Sequence, residues 1–410
     1  MEREELWEVK RDPDREVGRP YAGWREGEFD VHLIDVGIAE ASFHIYPDGA
    51  TALVDCGDRD PTSRGNSGRG PRPSGARRPG EWVARYLARL CPGRKTIDYL
   101  VATHFHKDHV GSAEFGAGMT TGRGSDYQLS GLSQVGERYR FGVALDRGFP
   151  DYAGLSDKSR READNLRRFL AFQEREFGLR REAFRVGAAD QIRLTIAPER
   201  YDFHTRNVCG NGLVWTGKGT ATVDLIEQNG LGGVRSELEN TQSLGIAFRY
   251  GPYRFFTGGD VMNAIVAGDV DFESAIARAI GPQDVCKANH HASRGSMTRG
   301  FTTAVRARAY LVNVWQDGHL RTSALEAMGD DSATGYPGVR LICPVACPAA
   351  RAEQAEKAGW GKYLVVRSGH VVAKAYAGGA KFKIYYLTSE DESMRVDAVF
   401  GPFTSRLAEG

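Results

Sequence analysis

Apolar residues fall into short extended runs at both ends of the chain, with helical stripes between them. Phe29 to Ile34, Ala41 to Tyr46 and Ala50 to Val54 read as three strands, the last two joined by the turn Pro47-Asp48-Gly49. Residues 58–80 hold Gly, Pro, Ser and Arg with little that could pack, which predicts a surface loop. Trp82, Val83, Tyr86, Leu87 and Leu90 recur at helical spacing, and Ile97 to Ala102 is short enough for a buried strand.

From Ala113 to about Arg185 the pattern weakens into a glycine-rich stretch and a charged helix over Ser159 to Phe177. This predicts an inserted cap over 113–190, its helix held down by Phe169, Phe172 and Phe177. Strands return at Ile192 to Ile196, Thr222 to Ile226, Ser243 to Tyr250 and Tyr253 to Phe256. Later strands at Val285 to Ala288, Tyr310 to Val314 and Val339 to Ile342 alternate with helices at Ser274 to Ile280 and near Phe301 and Leu325. A helix over Ala349 to Lys357 precedes a β-rich tail: Tyr363 to Val366, Val371 to Tyr376 and Phe382 to Leu387. Strands followed by helices in each half predict an α+β or layered α/β protein.

Composition narrows the function classes. The 410 residues carry 54 Lys+Arg against 53 Asp+Glu, a formal charge of +1, so no global field draws the protein to nucleic acid or an anionic membrane. Six cysteines without paired spacing fit a reduced compartment. The acidic start, Met1 to Glu5, lacks an apolar stretch behind it, and no run approaches the roughly 18 apolar residues of a membrane span. A cytoplasmic location is expected.

The chemistry is concentrated in Thr103-His104-Phe105-His106-Lys107-Asp108-His109, directly after an apolar strand. Two imidazoles at i and i+2 share one side of an extended loop while Asp108 and His109 turn to a second point, so the segment can serve two adjacent metals. Imidazole and carboxylate suit Zn²⁺, with Mn²⁺ or Fe²⁺ as alternatives.

This segment resembles the HxHxDH signature of the metallo-β-lactamase fold family. Leu53-Val54-Asp55-Cys56-Gly57 resembles the family's earlier strand ending in a supporting Asp, and Phe255 to Asp260 its strand ending in a metal-bridging Asp. Ala288-Asn289-His290-His291-Ala292-Ser293 resembles the HHGS motif, and Asp317-Gly318-His319 the GHP motif of one branch. That branch, the catalytic domain of ComEC-type DNA-uptake proteins and their soluble relatives, opens with DVGQGD, where this chain has Asp35 to Glu40.

The resemblance implies a four-layer αββα sandwich over 29–345, with the 113–190 insertion, a C-terminal β-rich extension over 346–410 and an N-terminal arm over 1–28. It implies two divalent cations, with His104 and His106 on the first, Asp108, His109 and His290 on the second, and Asp260 as bridge. Asp55 would orient a ligand histidine, His291 would support the ligands or be one itself, and His319 would polarise substrate or protonate a leaving group. The family's usual third His on the first metal has no counterpart at Glu239 to Ser243. Glu239, Asn240 or, from another loop, His204 would fill that place.

The implied activity is a binuclear hydrolase in which a metal-held hydroxide attacks a carbonyl or phosphoryl centre. Arg64, Arg69, Arg72, Arg77 and Arg78 favour phosphodiester cleavage of a small or single-stranded substrate. A lactone, amide or ester hydrolase is the alternative, and an inactive binding module of the same fold is the reading of another class.

Overall fold

A computed structural model describes residues 15–62, 69–114, 120–265, 269–330 and 340–408. The chain first lays down strands β1 (Phe29–Leu33), β2 (Ala41–Ile45), β3 (Thr51–Cys56), β4 (Thr96–Ala102), β5 (Arg140–Asp146) and β6 (Arg180–Ala183). It then builds β7 (Phe203–Gly210), β8 (Leu213–Trp215), β9 (Thr222–Asp224), β10 (Gly245–Tyr250), β11 (Tyr253–Thr257), β12 (Val285–Lys287), β13 (Ala309–Val312) and β14 (Leu341–Pro344). It returns with β15 (His370–Ala375), β16 (Lys381–Leu387) and β17 (Val396–Thr404). Between these run helices α1 (Pro79–Leu90), α2 (Lys107–Val110), α3 (Leu132–Val135), α4 (Asp157–Phe177), α5 (Leu225–Gln228), α6 (Glu273–Ile280), α7 (Arg299–Val305), α8 (Thr322–Gly329) and α9 (Ala349–Lys357).

Two sheets result, ordered β17-β16-β15-β1-β2-β3-β4-β5-β6 and β14-β13-β12-β11-β10-β7-β8-β9. The central strands are buried on both faces, as in TALVDC of β3, so the middle of each sheet is covered on both sides. Phe29, Phe248, Phe255 and Leu311 fill the space between the sheets. Outside the first sheet, Val83 and Leu87 of α1 pack with Leu166, Phe169 and Leu170 of α4. Outside the second, Ile276, Phe301 and Leu325 of α6, α7 and α8 form a third core. Three cores separate four layers, helix, sheet, sheet, helix.

Two boundaries read from the sequence are corrected. The 113–190 stretch is no separate insertion: β5 and β6 continue the first sheet in parallel with β4, and α4 covers that sheet's outer face. Its central Phe169 is fully buried, so the charged residues dominate the composition while the stripe beneath them does the packing. Residues 346–410 are likewise no appendage, because β15 pairs directly with β1. The 1–28 arm is described only from Arg15.

Two expected strands are also absent. Ile192 and Leu194 are buried between the sheets, but the backbone nearby bonds side chains, Arg193 the Tyr99 hydroxyl and Ile196 the Asp48 carboxylate. Tyr363 to Val366 contributes a single bridge, Leu364 beside Ile342.

The arginine-rich loop also departs from expectation. Arg69 forks onto Asp35 at 2.7 and 2.8 Å, Arg72 reaches Glu390, Arg77 reaches Glu81, and Arg78 bonds Asp58 and Ser130. These four fasten the loop to the body of the protein; Arg64 lies outside the described residues. Among the described residues no helix is long and apolar enough to cross a membrane.

The site follows from the strand directions. β3 and β4 are parallel, as are β11, β12 and β13, and the segments holding Asp55, residues 103–109, Asp260, residues 289–292 and His319 lie at or just beyond their carboxyl ends. Loops there converge on one edge of the sandwich, the usual location of sites in open α/β sheets.

At the other end, buried Asp284 accepts the backbone N–H groups of Arg254 and Arg406 at 2.8 and 2.9 Å, tying the C-terminal segment to β11. Burial pushes its carboxyl up to about 6 against those hydrogen bonds. A folded value above the unfolded one near 3.8 gives stability that is complete below pH 3.8 and lost as pH rises through 6. Wild-type Tm should therefore decline between pH 4 and 6 more steeply than that of Asp284→Asn; parallel Tm profiles would show that Asp284 does not titrate there.

Candidate metal centre

The loop leaving β4 is fixed from below by Asp55. Its Oδ1 accepts the Thr103 N–H at 2.8 Å, and its Oδ2 accepts the Thr103 hydroxyl and faces His109 Nδ1, both at 2.7 Å. Gly57 lets the two loops touch: a Cβ there would lie 1.9 Å from the Asp108 carbonyl oxygen. His104 Nδ1 lies 3.2 Å from the Thr103 hydroxyl, and its Nε2 lies 3.1 Å from His106 Nδ1. Those two nitrogens thus share one point of approach.

Asp260 supplies the hub. Its Oδ2 lies 3.1 Å from both His109 Nε2 and His291 Nε2 and 3.8 Å from His104 Nε2. His291 Nε2 is also 3.4 Å from His109 Nε2 and 3.9 Å from Asp108 Oδ2. Beneath this cluster, buried Lys287 reaches the Gly259 carbonyl at 2.8 Å and Glu40 Oε1 at 2.9 Å. Glu40 Oε2 in turn faces His291 Nδ1 at 3.3 Å.

This donor set fits divalent cations. His104, His109 and His291 each commit Nδ1 to Thr103, Asp55 or Glu40 and turn a bare Nε2 to the Asp260 carboxylate, the arrangement that outer partners impose on metal-bound imidazoles. Asp260 Oδ1 is buried without a hydrogen-bond partner among the described residues. Glu40, His109, Asp260 and His291 place ligand atoms within 4.8 Å of one another. Since Glu40 is paired with Lys287, the atoms free to hold metal are those of the histidines, Asp108 and Asp260. His104 with His106 would serve one cation and Asp108, His109 and His291 the other, with Asp260 between them.

The electrostatics are those of a crowded buried cluster. Burial drives the His104 imidazole well down, and the neighbouring His109 and His106 add to it. Burial opposes charge on His109 too, but Asp260 and Asp55 outweigh it and raise its pKa. Asp260 itself is held well below the carboxylate range: His109 and His291 overcome the cost of burial.

The remaining candidates separate clearly. His290, expected on the second metal, puts Nε2 3.0 Å from the Asn240 amide nitrogen and Nδ1 3.2 Å from the Arg294 carbonyl; it lines the pocket, while its neighbour His291 meets Asp260. Both rings sit at positive φ, 44° and 55°, in a tight 3-10 turn that points them apart. Glu239 is occupied, its carboxylate forked by Arg147 and accepting the Phe105 N–H at 2.8 Å. It braces the loop between His104 and His106. Asn240 lines the pocket with its Oδ1 buried and without a hydrogen-bond partner. His204 is far from this edge: it is exposed, near the opposite end of the sheet, on Asp202.

His319 stacks on His291, 4.6 Å between ring centroids, and lines the same cavity. Burial lowers its pKa, so the ring is neutral near pH 7. The Trp315 backbone N–H donates to Nδ1 at 3.5 Å, which favours the ring proton on Nε2.

Residues 39–116, which hold Glu40, Asp55 and the whole 103–109 loop, match the family model described as Metallo-beta-lactamase superfamily. Over that stretch the chain is similar to the metallo-β-lactamase superfamily. Among solved structures, Zn²⁺-bound PqqB from Methylobacterium extorquens is similar at 11% identity and a TM-score of 0.36, covering 82% of this chain and 89% of that one. A mutant of the CmlA β-hydroxylase is similar at 14% identity and a TM-score of 0.35, covering 69% of this chain and 45% of that one, so this chain spans less than half of its length. No curated protein matches. The donor set itself is one that would hold divalent cations.

Three contributors to this site went unread in the sequence. Glu40 stands where the DVGQGD pattern ends and was a signal in plain view. Lys287 and Arg147 lie in or beside apolar strands, where nothing local distinguishes a buried cation from a solvated one.

Two outcomes check the assignment. Glu40→Gln should weaken metal binding about 10- to 100-fold, read by metal content after dialysis, as loss of an outer partner does elsewhere. His291→Ala should lose one equivalent of metal while His290→Ala keeps both; the reverse result would return His290 to the second metal.

Proposed function

We propose that this protein is a binuclear metal-dependent hydrolase of small anionic phosphodiesters, related in its site to the soluble relatives of ComEC-type enzymes. The observation that carries the reading is the cavity beside the hub. It measures about 520 Å³ and is lined by His106, Asp108, Asp260, His290, His291 and His319, with Arg59, Lys107 and Lys158 among the walls. That volume suits a ligand of nucleotide size and excludes duplex DNA.

Two divalent cations at such a site supply Lewis acidity and lower the pKa of water to near neutrality. The chain's own residues do the rest. Asp55 and Glu40 hold His109 and His291 in register, and Glu239 braces the His104–His106 loop through the Phe105 N–H. Arg59, 3.9 Å from Asp108 Oδ2, and exposed Lys158 at the start of α4 offer positive charge to a phosphoryl group. His319, with its proton on Nε2, donates a hydrogen bond to the leaving-group oxygen.

Lys107 is paired with Glu114 on the wall, but Arg59 and Lys158 favour phosphodiesters over neutral lactones, amides and esters. Pairing of Arg69, Arg72, Arg77 and Arg78 within the fold weighs against a long nucleic acid track.

Purified protein loaded with Zn²⁺ or Mn²⁺ should hydrolyse bis(p-nitrophenyl) phosphate faster than p-nitrophenyl acetate or a simple lactone. Asp108→Ala should lose at least a hundredfold in kcat while remaining folded. Lys158→Ala should raise KM for the phosphodiester with little change in kcat. Preference for the lactone, or full activity of Asp108→Ala, would overturn the reading.

A further inference from the structure

A second cavity, of about 530 Å³, lies toward the opposite end of the second sheet from the metal centre. Arg254 is the second residue of β11, and that strand's other end leads to Asp260, so the two sites are separated by most of the strand's length, roughly 10 Å or more.

The register sets basic side chains in one row. Arg249 of β10 is directly opposite Arg254 of β11 on one side and His204 of β7 on the other. Like charges at directly paired positions destabilise a sheet. Two residues along β7, Arg206 lies on the same face and stacks over Trp215, 4.8 Å from the ring centre.

Only part of this charge is neutralised. Asp202 pairs with Arg249 at 2.7 Å and with His204 at 2.8 Å. Asp284 is engaged by the backbone N–H groups of Arg254 and Arg406. The half-buried Arg254 guanidinium has no hydrogen-bond or ion-pair partner among the described residues, and it opens on the cavity. Burial and the adjacent Arg249 both disfavour its charge. A fork of five donors held in a concave wall beside a second guanidinium matches the oxygens of a phosphate. Trp215, Ile280 and Pro282 give the cavity an apolar side as well.

We infer that this cavity is a second binding site, separate from the metal centre, for a small organic phosphate of nucleotide size, its phosphate held by Arg249 and Arg254 and its body against the apolar wall. The inference stands apart from the hydrolase reading, since no residue is shared between the two cavities.

The test is calorimetric titration of the metal-loaded full chain with AMP, using adenosine as the uncharged control. Wild type and Asp108→Ala should both bind AMP at this site, whereas Arg254→Gln and Arg249→Gln should each weaken that binding at least tenfold. Adenosine should bind at least tenfold more weakly than AMP. Phosphodiester hydrolysis by Arg254→Gln should equal that of wild type, which also reports that the variant is folded. If Arg254→Gln fails to fold, Arg249→Gln carries the same comparison. Absence of AMP binding to wild type, equal AMP affinity in the folded arginine variant, or binding lost only in Asp108→Ala would overturn the inference. Hydrolysis lost in every form with AMP binding intact would sink the hydrolase reading and leave this one standing.

Discussion

One oxygen atom organises the site. Asp260 Oδ2 stands within 4 Å of imidazole nitrogens from His104, His109 and His291, carried by loops of two different sheets. A buried carboxylate among desolvated imidazoles is costly by itself and becomes favourable when cations neutralise it and take up the bare nitrogens. The fold therefore has to deliver these groups together. The hydrogen bonds to Thr103 and Asp55 and the contact with Glu40 are what keep each ring turned the right way.

Beneath the hub, Lys287 and Glu40 form the clamp between the sheets. Lys287 ends β12 of the second sheet, and Glu40 immediately precedes β2 of the first, both with side chains at most 2% exposed. Removing one member of such a pair strands a buried charge and typically costs about 3–5 kcal/mol. Because Glu40 also faces His291, the bond that joins the layers is continuous with the one that orients a ligand.

Legibility in the sequence followed the range of the interactions. The 103–109 cluster was readable because its donors are adjacent, and the early meander because alternate turns and apolar runs are local properties. Strands β5 and β6 were obscured: β6 is RREA, polar in composition and held as an edge strand by pairing with β5. The choice between His290 and His291 was beyond reach, since it depends on two positive-φ residues in one turn. Glu239 read as a candidate ligand because its partner Arg147 is 92 residues away. His204 was drawn to the metal by residue type alone, while its strand's register sends it to the other end of the sheet.

The position of β1 has a bearing on biosynthesis. Its neighbours are β2, next in the chain, and β15, where Phe29 pairs with Ala375. More than 330 residues lie between Leu33 and His370, so until β15 has been made that flank of β1 is an open strand edge. Pairing of β1 with β15 is thus a long-range step, slow because so much chain must first be brought round.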